Sequence, residues 1–209
     1  MRLLVLGATG RVGRIAVALA LDRRHQVTVL VRLPEKLGTV ATLVKVVPGD
    51  ALDANAVASA VAGQDAVFYV LGAGNVRSTT LFSESTRILL DQMQRQQVRR
   101  LICVTGVGAG ETKGHGGLLY DRILYPLFTK GIYADKDRQE TLIRQSDTDW
   151  TIVRPAPFRK RTPPGPLLAE TRVADIVLRK ISPQEVAAFL LDELEQGRYM
   201  RQAVFIGHE

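Results

Sequence analysis

Three glycines near the start of the chain have the spacing of a loop that holds phosphate groups. Gly7, Gly10 and Gly13 lie in the stretch LLVLGATGRVG, between an apolar run and a helical pattern. Gly7 would allow a sharp turn, Gly10 would let a phosphate approach the main chain, and Gly13 would let the helix pack closely on the strand. The helix that begins near Arg11 would direct free N–H groups at a pyrophosphate. The spacing is G-x-x-G-x-x-G rather than G-x-G-x-x-G, and an ordinary tight turn is the alternative interpretation.

Two arginines indicate which dinucleotide such a loop would hold. A site for NAD usually has an acidic residue about 20 residues after the glycines, where it binds the ribose 2′-hydroxyl. This chain instead has Arg32 at the end of VTVLVR, and it has Arg11 in the glycine loop. Each guanidinium can bind a 2′-phosphate through two hydrogen bonds. The pair therefore predicts NADP(H), although either arginine alone is also typical of a protein surface.

Residues after the third and fourth predicted strands extend this cofactor site. Asp50, in VVPGD, could bind the adenine amino group, whereas Asp53 is predicted to cap the following helix. Small residues follow the fourth strand, where a bulky side chain would obstruct a cofactor. The predicted cofactor-binding residues of this first part of the chain are Gly7, Thr9, Gly10, Arg11, Val12, Gly13, Arg32, Asp50, Ala51, Leu71, Gly72 and Ala73.

The elements that would position these residues alternate between strands and helices. Near-continuous aliphatic runs are typical of parallel strands that helices cover on both faces. Ser182, Pro183 and Glu185 have the spacing of a capping box with proline at the first helical position. The sequence predicts an α/β fold, a single doubly wound parallel sheet in one domain over residues 1–209. The predicted strands are residues 2–7, 26–31, 43–47, 65–72, 100–105, 150–154 and 202–207.

Two long stretches interrupt the alternation. Residues 106–133 follow the fifth strand and are glycine-rich before they become apolar, and residues 155–173 follow the sixth and contain several prolines. In such sheets, loops at the carboxyl ends of strands are where ligands bind. Residues 118–128 would supply apolar and aromatic walls, or simply a covering helix. The stretch FRKR, residues 158–161, would supply cations for carboxylates or phosphates.

The composition limits the class of protein and its partners. The 209 residues are 46% hydrophobic and 23% charged, which is typical of a soluble globular protein. A lone cysteine, Cys103, without clustered histidines predicts a cytoplasmic protein with no metal. No apolar run reaches the roughly 18 residues of a membrane span, so no membrane partner is expected. The net charge of +7 is scattered, which favours a solvated surface or an anionic cofactor or substrate over nucleic acid.

Five segments together resemble a known family. GATGRVG, VTVLVR, VVPGD, VAGQDAVFYVLG and DWTIVRP resemble the atypical short-chain dehydrogenase/reductases with an NmrA-like Rossmann domain. Within them, the chain is most similar to the biliverdin reductase B/flavin reductase branch. The resemblance implies an NADPH across the strand ends, with Arg11 and Arg32 at its 2′-phosphate. It also implies a nicotinamide near Val104, Thr105, Gly106, Pro155, Ala156, Pro157 and Phe158.

The chain departs from that family at the positions expected to do chemistry. Typical members have a Tyr-x-x-x-Lys pair in which lysine lowers the pKa of the tyrosine, whereas this chain has YADK, with Tyr133 and Lys136 three apart. Tyr133 is a candidate proton donor or a packing aromatic. Lys136 is a candidate contact to the nicotinamide ribose or to an anionic substrate, or else a helix-surface lysine. The serine and histidine expected of the flavin/biliverdin branch are replaced by Gly106 and Pro157. His115, a candidate acid or a solvated side chain, lies near the predicted cleft.

Two functions follow from these observations. The first is an NADPH-dependent reductase that transfers hydride to a small conjugated acceptor such as a flavin, a quinone or a tetrapyrrole-like molecule, since these need little help with their proton. The second is a non-catalytic NADP(H)-binding redox sensor of the NmrA type, which the missing Tyr-x-x-x-Lys pair favours. Nucleic-acid binding rests on net charge alone and ranks last.

Overall fold

Strands and helices alternate along the chain in a computed structural model, which describes residues 1–72, 74, 79–106, 130–162, 164–172 and 178–209. The strands are β1 (Arg2–Leu6), β2 (Gln26–Val31), β3 (Lys45–Pro48), β4 (Ala66–Tyr69), β5 (Arg100–Val104), β6 (Asp149–Pro155), β7 (Leu168–Glu170) and β8 (Gln202–Gly207). The helices are α1 (Arg11–Asp22), α2 (Ala54–Val61), α3 (Leu81–Arg95), α4 (Lys130–Gln145) and α5 (Pro183–Gln196). A 3-10 segment, Pro34–Thr42, links β2 to β3.

The strands of the described residues form one sheet in the order β3-β2-β1-β4-β5-β6-β8-β7. Strands β1 to β6 pair in parallel with their neighbours, and β8 pairs in parallel with β6. The order reverses beside β1, with β2 and β3 on one side and β4 to β6 on the other. Loops that leave the carboxyl ends of β1 and β4 therefore diverge and leave a crevice between them, where doubly wound folds bind ligands.

Side chains that alternate along the central strands divide the core between the two faces of the sheet. Leu3 and Val5 of β1 are buried in the layer that contains the apolar residues of α1 and α5. Leu4 and Leu6 are buried in the layer that contains those of α2, α3 and α4. A strand that is buried on both faces has a continuous run of apolar residues. The apolar run at residues 3–6 therefore predicts β1 correctly.

Two predicted helix starts are confirmed. The carboxylate of Asp53 accepts hydrogen bonds from the backbone N–H groups of Asn55 and Ala56 at the start of α2. Ser182 and Glu185 form a reciprocal capping box at the start of α5. Both caps satisfy N–H groups that have no partner within their helix.

The predicted doubly wound sheet is confirmed, but it has one strand more than predicted and several boundaries differ. Strand β7 lies inside the proline-rich stretch and pairs antiparallel with β8 at the sheet edge, so the sheet is mostly but not wholly parallel. Its three residues are too few for the periodicity that marks a strand. The third strand begins two residues later and ends one residue later than predicted. The fourth begins one residue later and ends three residues earlier, since sequence patterns do not define where a ladder of hydrogen bonds stops. None of the helices among the described residues combines the length and apolarity that crossing a bilayer requires.

Candidate functional site

A cleft of about 630 Å³ opens at the carboxyl ends of β1, β2 and β4. The glycine loop forms its floor, the ends of β2 and β3 form one wall, and the first turn of α3 with one face of α4 forms the other. Its lining residues are Leu6, Gly7, Thr9, Gly10, Arg11, Leu30, Val31, Arg32, Gly49, Asp50, Ala51, Leu71, Gly72, Gly74, Leu81, Phe82, Ile132 and Lys136.

The loop that contains Gly7, Gly10 and Gly13 forms a concave surface, and side chains at Gly7 or Gly13 would clash with its backbone or with that of Val70. Gly7 has φ +95°, and a Cβ atom there would lie 2.6 Å from the carbonyl oxygen of Val70. A Cβ atom at Gly13 would overlap the carbonyl oxygen of Gly7, so the absence of a side chain brings α1 against the loop. Gly10 precedes α1 and provides no side-chain cap, and the first turn of α1 contains no acidic residue. Free N–H groups at a helix start, with the positive end of the helix dipole, suit a pyrophosphate.

Charged side chains of both signs lie at the β2–β3 wall of the cleft. The side chain of Arg32 is 76% exposed, and its Nη1 lies 3.9 Å from Oδ2 of Asp50. The other carboxylate oxygen of Asp50 accepts a hydrogen bond of 3.0 Å from the backbone N–H of Leu52. Asp50 is therefore oriented by the main chain. Arg32 and Arg11, both exposed, are available to an anion.

The opposite wall is held together by a buried carboxylate. Asp135 of α4 is fully buried and accepts hydrogen bonds from the backbone N–H of Phe82 at 2.8 Å and from the hydroxyl of Ser83 at 2.5 Å. It also accepts from Arg138 at 3.0 Å. Asp135 thus acts as the cap of α3 from a different helix and fixes the distance between α3 and α4 beside the cleft.

Lys136 follows Asp135 on α4 and brings a positive charge to the wall of the cleft that α3 and α4 form. It is half-buried, its ammonium group lies 4.8 Å from the ring centroid of Phe82, and it donates a hydrogen bond to the carbonyl oxygen of Thr105. Burial lowers the pKa of Lys136 from 10.5 to about 8. The side chain therefore carries a proton that it can lose close to neutral pH.

A buried ion pair between Glu140 and Arg154 contacts Thr105, the residue that follows β5. Glu140 of α4 accepts a hydrogen bond of 2.7 Å from the hydroxyl of Thr105 and two from the guanidinium of Arg154, at 3.0 and 2.5 Å. Arg154 belongs to β6, and both charged side chains are almost fully buried. The network ties Thr105, whose carbonyl binds Lys136, to two elements of the fold.

Tyr133 lies one turn before Lys136 on α4. A Cβ atom at Gly106 would lie 3.6 Å from the Tyr133 hydroxyl oxygen, so this hydroxyl is next to the residue that follows β5. Gly106 has φ +146°, a conformation that other residues rarely adopt. The helix therefore brings Tyr133 and Lys136 to the same strand end even though their spacing is three.

The structure brings half of the predicted cofactor residues into one cleft. Lys136 is among them, together with Gly7, Thr9, Gly10, Arg11, Arg32, Asp50, Ala51, Leu71 and Gly72. Val12 and Gly13 are buried behind the loop, where they pack α1 on β1. Ala73, His115 and residues 118–128 lie outside the described residues.

The remaining predicted residues lie at the ends of β5 and β6. Thr105 and Gly106 are buried beside α4, and Val104 is half-buried. Pro155 and Ala156 are buried and continue the pairing of β6 with β8, since the Ala156 N–H donates to the Ile206 carbonyl at 2.9 Å. Pro157 is half-buried and Phe158 is 38% exposed beyond this edge.

Sequence reasoning missed the residues that α3, α4 and the β3 loop contribute to the cleft. Leu81, Phe82 and Ile132 line it, and so does Gly49, where a Cβ atom would overlap that of Ala56. The alternation of elements contained a signal for the first two. A helix that follows β4 must begin at the carboxyl edge of the sheet, so its first residues face the crevice.

A glycine cradle at the switch point of a doubly wound sheet defines a dinucleotide-binding Rossmann fold. A family model described as NAD(P)H-binding matches residues 7–197. The chain belongs to this NAD(P)H-binding family, which confirms the prediction of a pyridine dinucleotide cofactor.

Solved structures agree on the fold. A protein from Burkholderia pseudomallei whose name marks it only as a candidate exported protein is 30% identical, with both chains covered in full and a TM-score of 0.78. ChuY, an anaerobilin reductase from Escherichia coli O157:H7, is 20% identical over 100% of this chain and 97% of its own, with a TM-score of 0.82. A short-chain dehydrogenase/reductase from Veillonella parvula in complex with NADP is 16% identical over 99% and 94%, also with a TM-score of 0.82.

Proposed function

We propose that this protein is an NADPH-dependent reductase that transfers hydride to a conjugated acceptor. The observation that carries the proposal is a single cleft that runs from the glycine loop to Lys136, with Arg11 and Arg32 at its opposite end. A pyrophosphate at the loop would have a cationic group available on either side. This arrangement matches a molecule with phosphate at its centre and at its adenosine end.

Each part of the cleft would hold a different part of the cofactor. The N–H groups at the start of α1 would hold the pyrophosphate, Arg11 and Arg32 the 2′-phosphate, and Asp50 the adenine amino group. Lys136 would donate to a ribose hydroxyl at the end of β5, where Thr105 already accepts from it. Bound there, NADPH supplies the hydride.

Among the described residues, few proton donors lie near this strand end, and this favours an acceptor that needs little help with its proton. The hydroxyl group of Tyr133 lies beside Gly106. The ammonium group of Lys136, one helical turn away, has a pKa lowered to about 8 and can lose its proton near neutral pH. A flavin, a quinone or a tetrapyrrole-like acceptor delocalises the charge it gains and can take its proton from solvent. The reductase named among the similar structures, which acts on anaerobilin, supports a conjugated acceptor of this kind.

NADPH oxidation, followed optically with FMN, riboflavin, a quinone or biliverdin as acceptor, tests the proposal. We expect turnover with at least one of them, and a lower rate in the Lys136→Met variant. Binding of NADP⁺ without oxidation of NADPH by any acceptor would contradict the reductase.

The second candidate is the NADP(H)-dependent redox sensor. The spacing of Tyr133 and Lys136 favours it, and so does the hydrogen bond of Lys136 to a main-chain carbonyl, because this ammonium group is already engaged. A sensor would bind a partner differently with NADP⁺ and NADPH and would show no turnover. The single domain over residues 1–209 and the cytoplasmic location stay predictions, the latter resting on the buried free thiol of Cys103.

A further inference from the structure

Arg14, at the end of the first turn of α1, bonds the main chain on both sides of Gly10. Its side-chain Nε donates a hydrogen bond of 3.0 Å to the carbonyl oxygen of Thr9. Its backbone N–H donates to the carbonyl oxygen of Gly10 at 3.1 Å. One residue of the helix therefore holds the carbonyl groups of both peptide bonds that meet at Gly10.

The side-chain contact fixes the peptide bond between Thr9 and Gly10. The N–H of this peptide donates to the carbonyl oxygen of Gly7 at 2.9 Å and closes a tight turn. In a trans peptide the oxygen and the N–H lie on opposite sides, so the Thr9 carbonyl points out of the turn, where Arg14 binds it. The loop thus holds the peptide plane at its N–H, and α1 holds it at its oxygen.

The absence of side chains makes such a restraint useful. Gly7 and Gly10 let a phosphate approach the backbone, but glycine also leaves a free loop more backbone conformations than any other residue does. A hydrogen bond to the peptide next to Gly10 removes part of this freedom before a cofactor arrives. A loop that is already in its bound conformation pays a smaller entropic cost on binding.

Arg14 acts on the loop from outside the cleft. Thr9, Gly10 and Arg11 line the cleft, whereas Arg14 does not. The side chain of Arg14 is exposed, and within the described part of the chain it forms no ion pair that would draw it away from Thr9. The first turn of α1 contains no acidic residue. The guanidinium is therefore available to the loop alone.

We propose that Arg14 is a positioning residue that preorganises the glycine loop for the pyrophosphate of the cofactor. The proposal rests on the proposed function, in which this loop holds the pyrophosphate, and it adds a residue that does not touch the cofactor. NADP(H) and NAD(H) share the pyrophosphate, so Arg14 should support the binding of both equally. Arg32, in contrast, would act on the 2′-phosphate alone.

Three substitutions separate the hydrogen bond of Arg14 from its charge. The amide nitrogen of glutamine is as many bonds from Cα as Nε of arginine, so Arg14→Gln keeps an N–H donor there without the charge. Arg14→Lys keeps the charge with a methylene at that position, and Arg14→Met keeps neither. The four residue types have similar helix propensities, so α1 should stay intact in each. Arg198→Met is the matched control, because Arg198 is exposed and precedes β8, at the amino ends of the strands.

Calorimetry with NADP⁺, NAD⁺ and 2′-AMP, which has the 2′-phosphate but no pyrophosphate, measures the effect. We expect Arg14→Met to bind both dinucleotides about fivefold more weakly, as the loss of one hydrogen bond predicts, and 2′-AMP within about twofold of the wild type. Arg14→Gln should bind both dinucleotides within about twofold of the wild type. A loss in Arg14→Gln as large as that in Arg14→Met overturns the proposal, and wild-type binding by Arg14→Lys would then assign the effect to charge. An equal loss for 2′-AMP or in Arg198→Met overturns it as well.

The amide of Gly10 reports the conformation of the loop directly. In the protein without cofactor, the Gly10 N–H should exchange with solvent faster in Arg14→Met than in the wild type, and Arg14→Gln should restore the slower exchange. The midpoint of urea unfolding should be the same in all variants. Unchanged exchange in Arg14→Met contradicts the positioning role.

The positioning role and the reductase fail separately. Weaker dinucleotide binding in Arg14→Met, without NADPH oxidation by any acceptor in the wild type, would support the positioning role and contradict the reductase. NADPH oxidation by the wild type, with unchanged binding in Arg14→Met, would support the reductase and contradict the positioning role.

Discussion

The ammonium group of Lys136 lies over the ring of Phe82, 4.8 Å from its centroid, on the wall of the cleft. An aromatic face attracts a cation, while partial burial disfavours the charge. Burial dominates and lowers the pKa of Lys136 to about 8. The positive charge that Lys136 brings to the candidate site therefore depends on pH near 8.

We expect the affinity for NADP⁺ to fall as pH rises through about 8, because Lys136 then loses the charge that attracts an anionic cofactor. The free energy of unfolding should change in the opposite direction. The unfolded chain, with a lysine pKa near 10.5, binds the proton more tightly than the folded chain between about 8 and 10.5, so the contribution of Lys136 to stability rises with pH in this window.

Calorimetric titrations and urea unfolding from pH 7 to 10.5 measure the two effects. Lys136→Met should remove the fall in affinity and the rise in stability, whereas Lys45→Met, at an exposed lysine of β3, should leave them in place. The buried thiol of Cys103 should still lower the stability above about pH 9 in all three proteins, because burial raises its pKa. A pH profile that stays the same in Lys136→Met would show that another group titrates.

Arg32 is expected to discriminate between the two dinucleotides. Arg32→Ala should weaken NADPH binding by ~1.5–3 kcal/mol, about ten- to 150-fold, because a charge-assisted contact to the 2′-phosphate is lost. NADH binding should change less than about twofold, since it lacks that phosphate. Calorimetry with both cofactors measures the difference, with Arg198→Ala as the exposed control. An equal loss for both cofactors would contradict the assignment.

Replacing Gly13 should mainly reduce stability, whereas replacing Gly10 should mainly reduce cofactor binding. Gly13→Ala should lower the free energy of unfolding by ~1–3 kcal/mol, because its Cβ would overlap the Gly7 carbonyl. Gly10→Ala should change stability by less than ~1 kcal/mol, since its φ of −78° suits alanine and its Cβ meets the Gly7 oxygen only at 3.2 Å. It should nevertheless weaken NADP⁺ binding. Urea unfolding and calorimetry on both variants test this separation, which identical effects would disprove.

Asp135 should be far more important to stability than an exposed aspartate. Asp135→Ala leaves buried N–H groups of Phe82 and Ser83 without their acceptor, and we expect a loss of ~2–4 kcal/mol in the free energy of unfolding. Asp91→Ala, which removes an exposed pair with Arg95, should cost less than ~0.5 kcal/mol in ion-pair energy. Chemical denaturation compares the two. Similar losses would mean that Asp135 does not hold α3 against α4.

The pair of Glu140 and Arg154 should behave as a buried unit. Arg154→Met leaves a buried carboxylate without its main partner and should cost ~3–5 kcal/mol, whereas the double variant Glu140→Leu/Arg154→Met should recover much of that loss. A double-mutant cycle from urea unfolding measures the coupling. The exposed pair of Arg99 and Asp149 is the control, and its coupling should be much weaker than that of the buried pair because solvent screens exposed charges. Additive losses at Glu140 and Arg154 would contradict the unit.

The features that local sequence predicts are those set by a few consecutive residues. Gly7 and Gly13 identify the strand–turn–helix at the start of the chain, because the turn needs a positive φ and the helix a close approach. Asp53 and Ser182 mark helix starts, because their side chains reach N–H groups two or three residues on. Strand β7 was missed because three residues at a sheet edge have no periodic pattern.

The sequence by itself determined the order of elements, the glycine cradle and the helix caps, since each depends on neighbours in the chain. Only the tertiary structure decided that Asp135 would cap a helix beginning more than 50 residues earlier and that Lys136 would reach Thr105. Such contacts depend on strand order and on the packing of helices across the sheet. No local spacing encodes them, because the residues meet only after the intervening chain has folded.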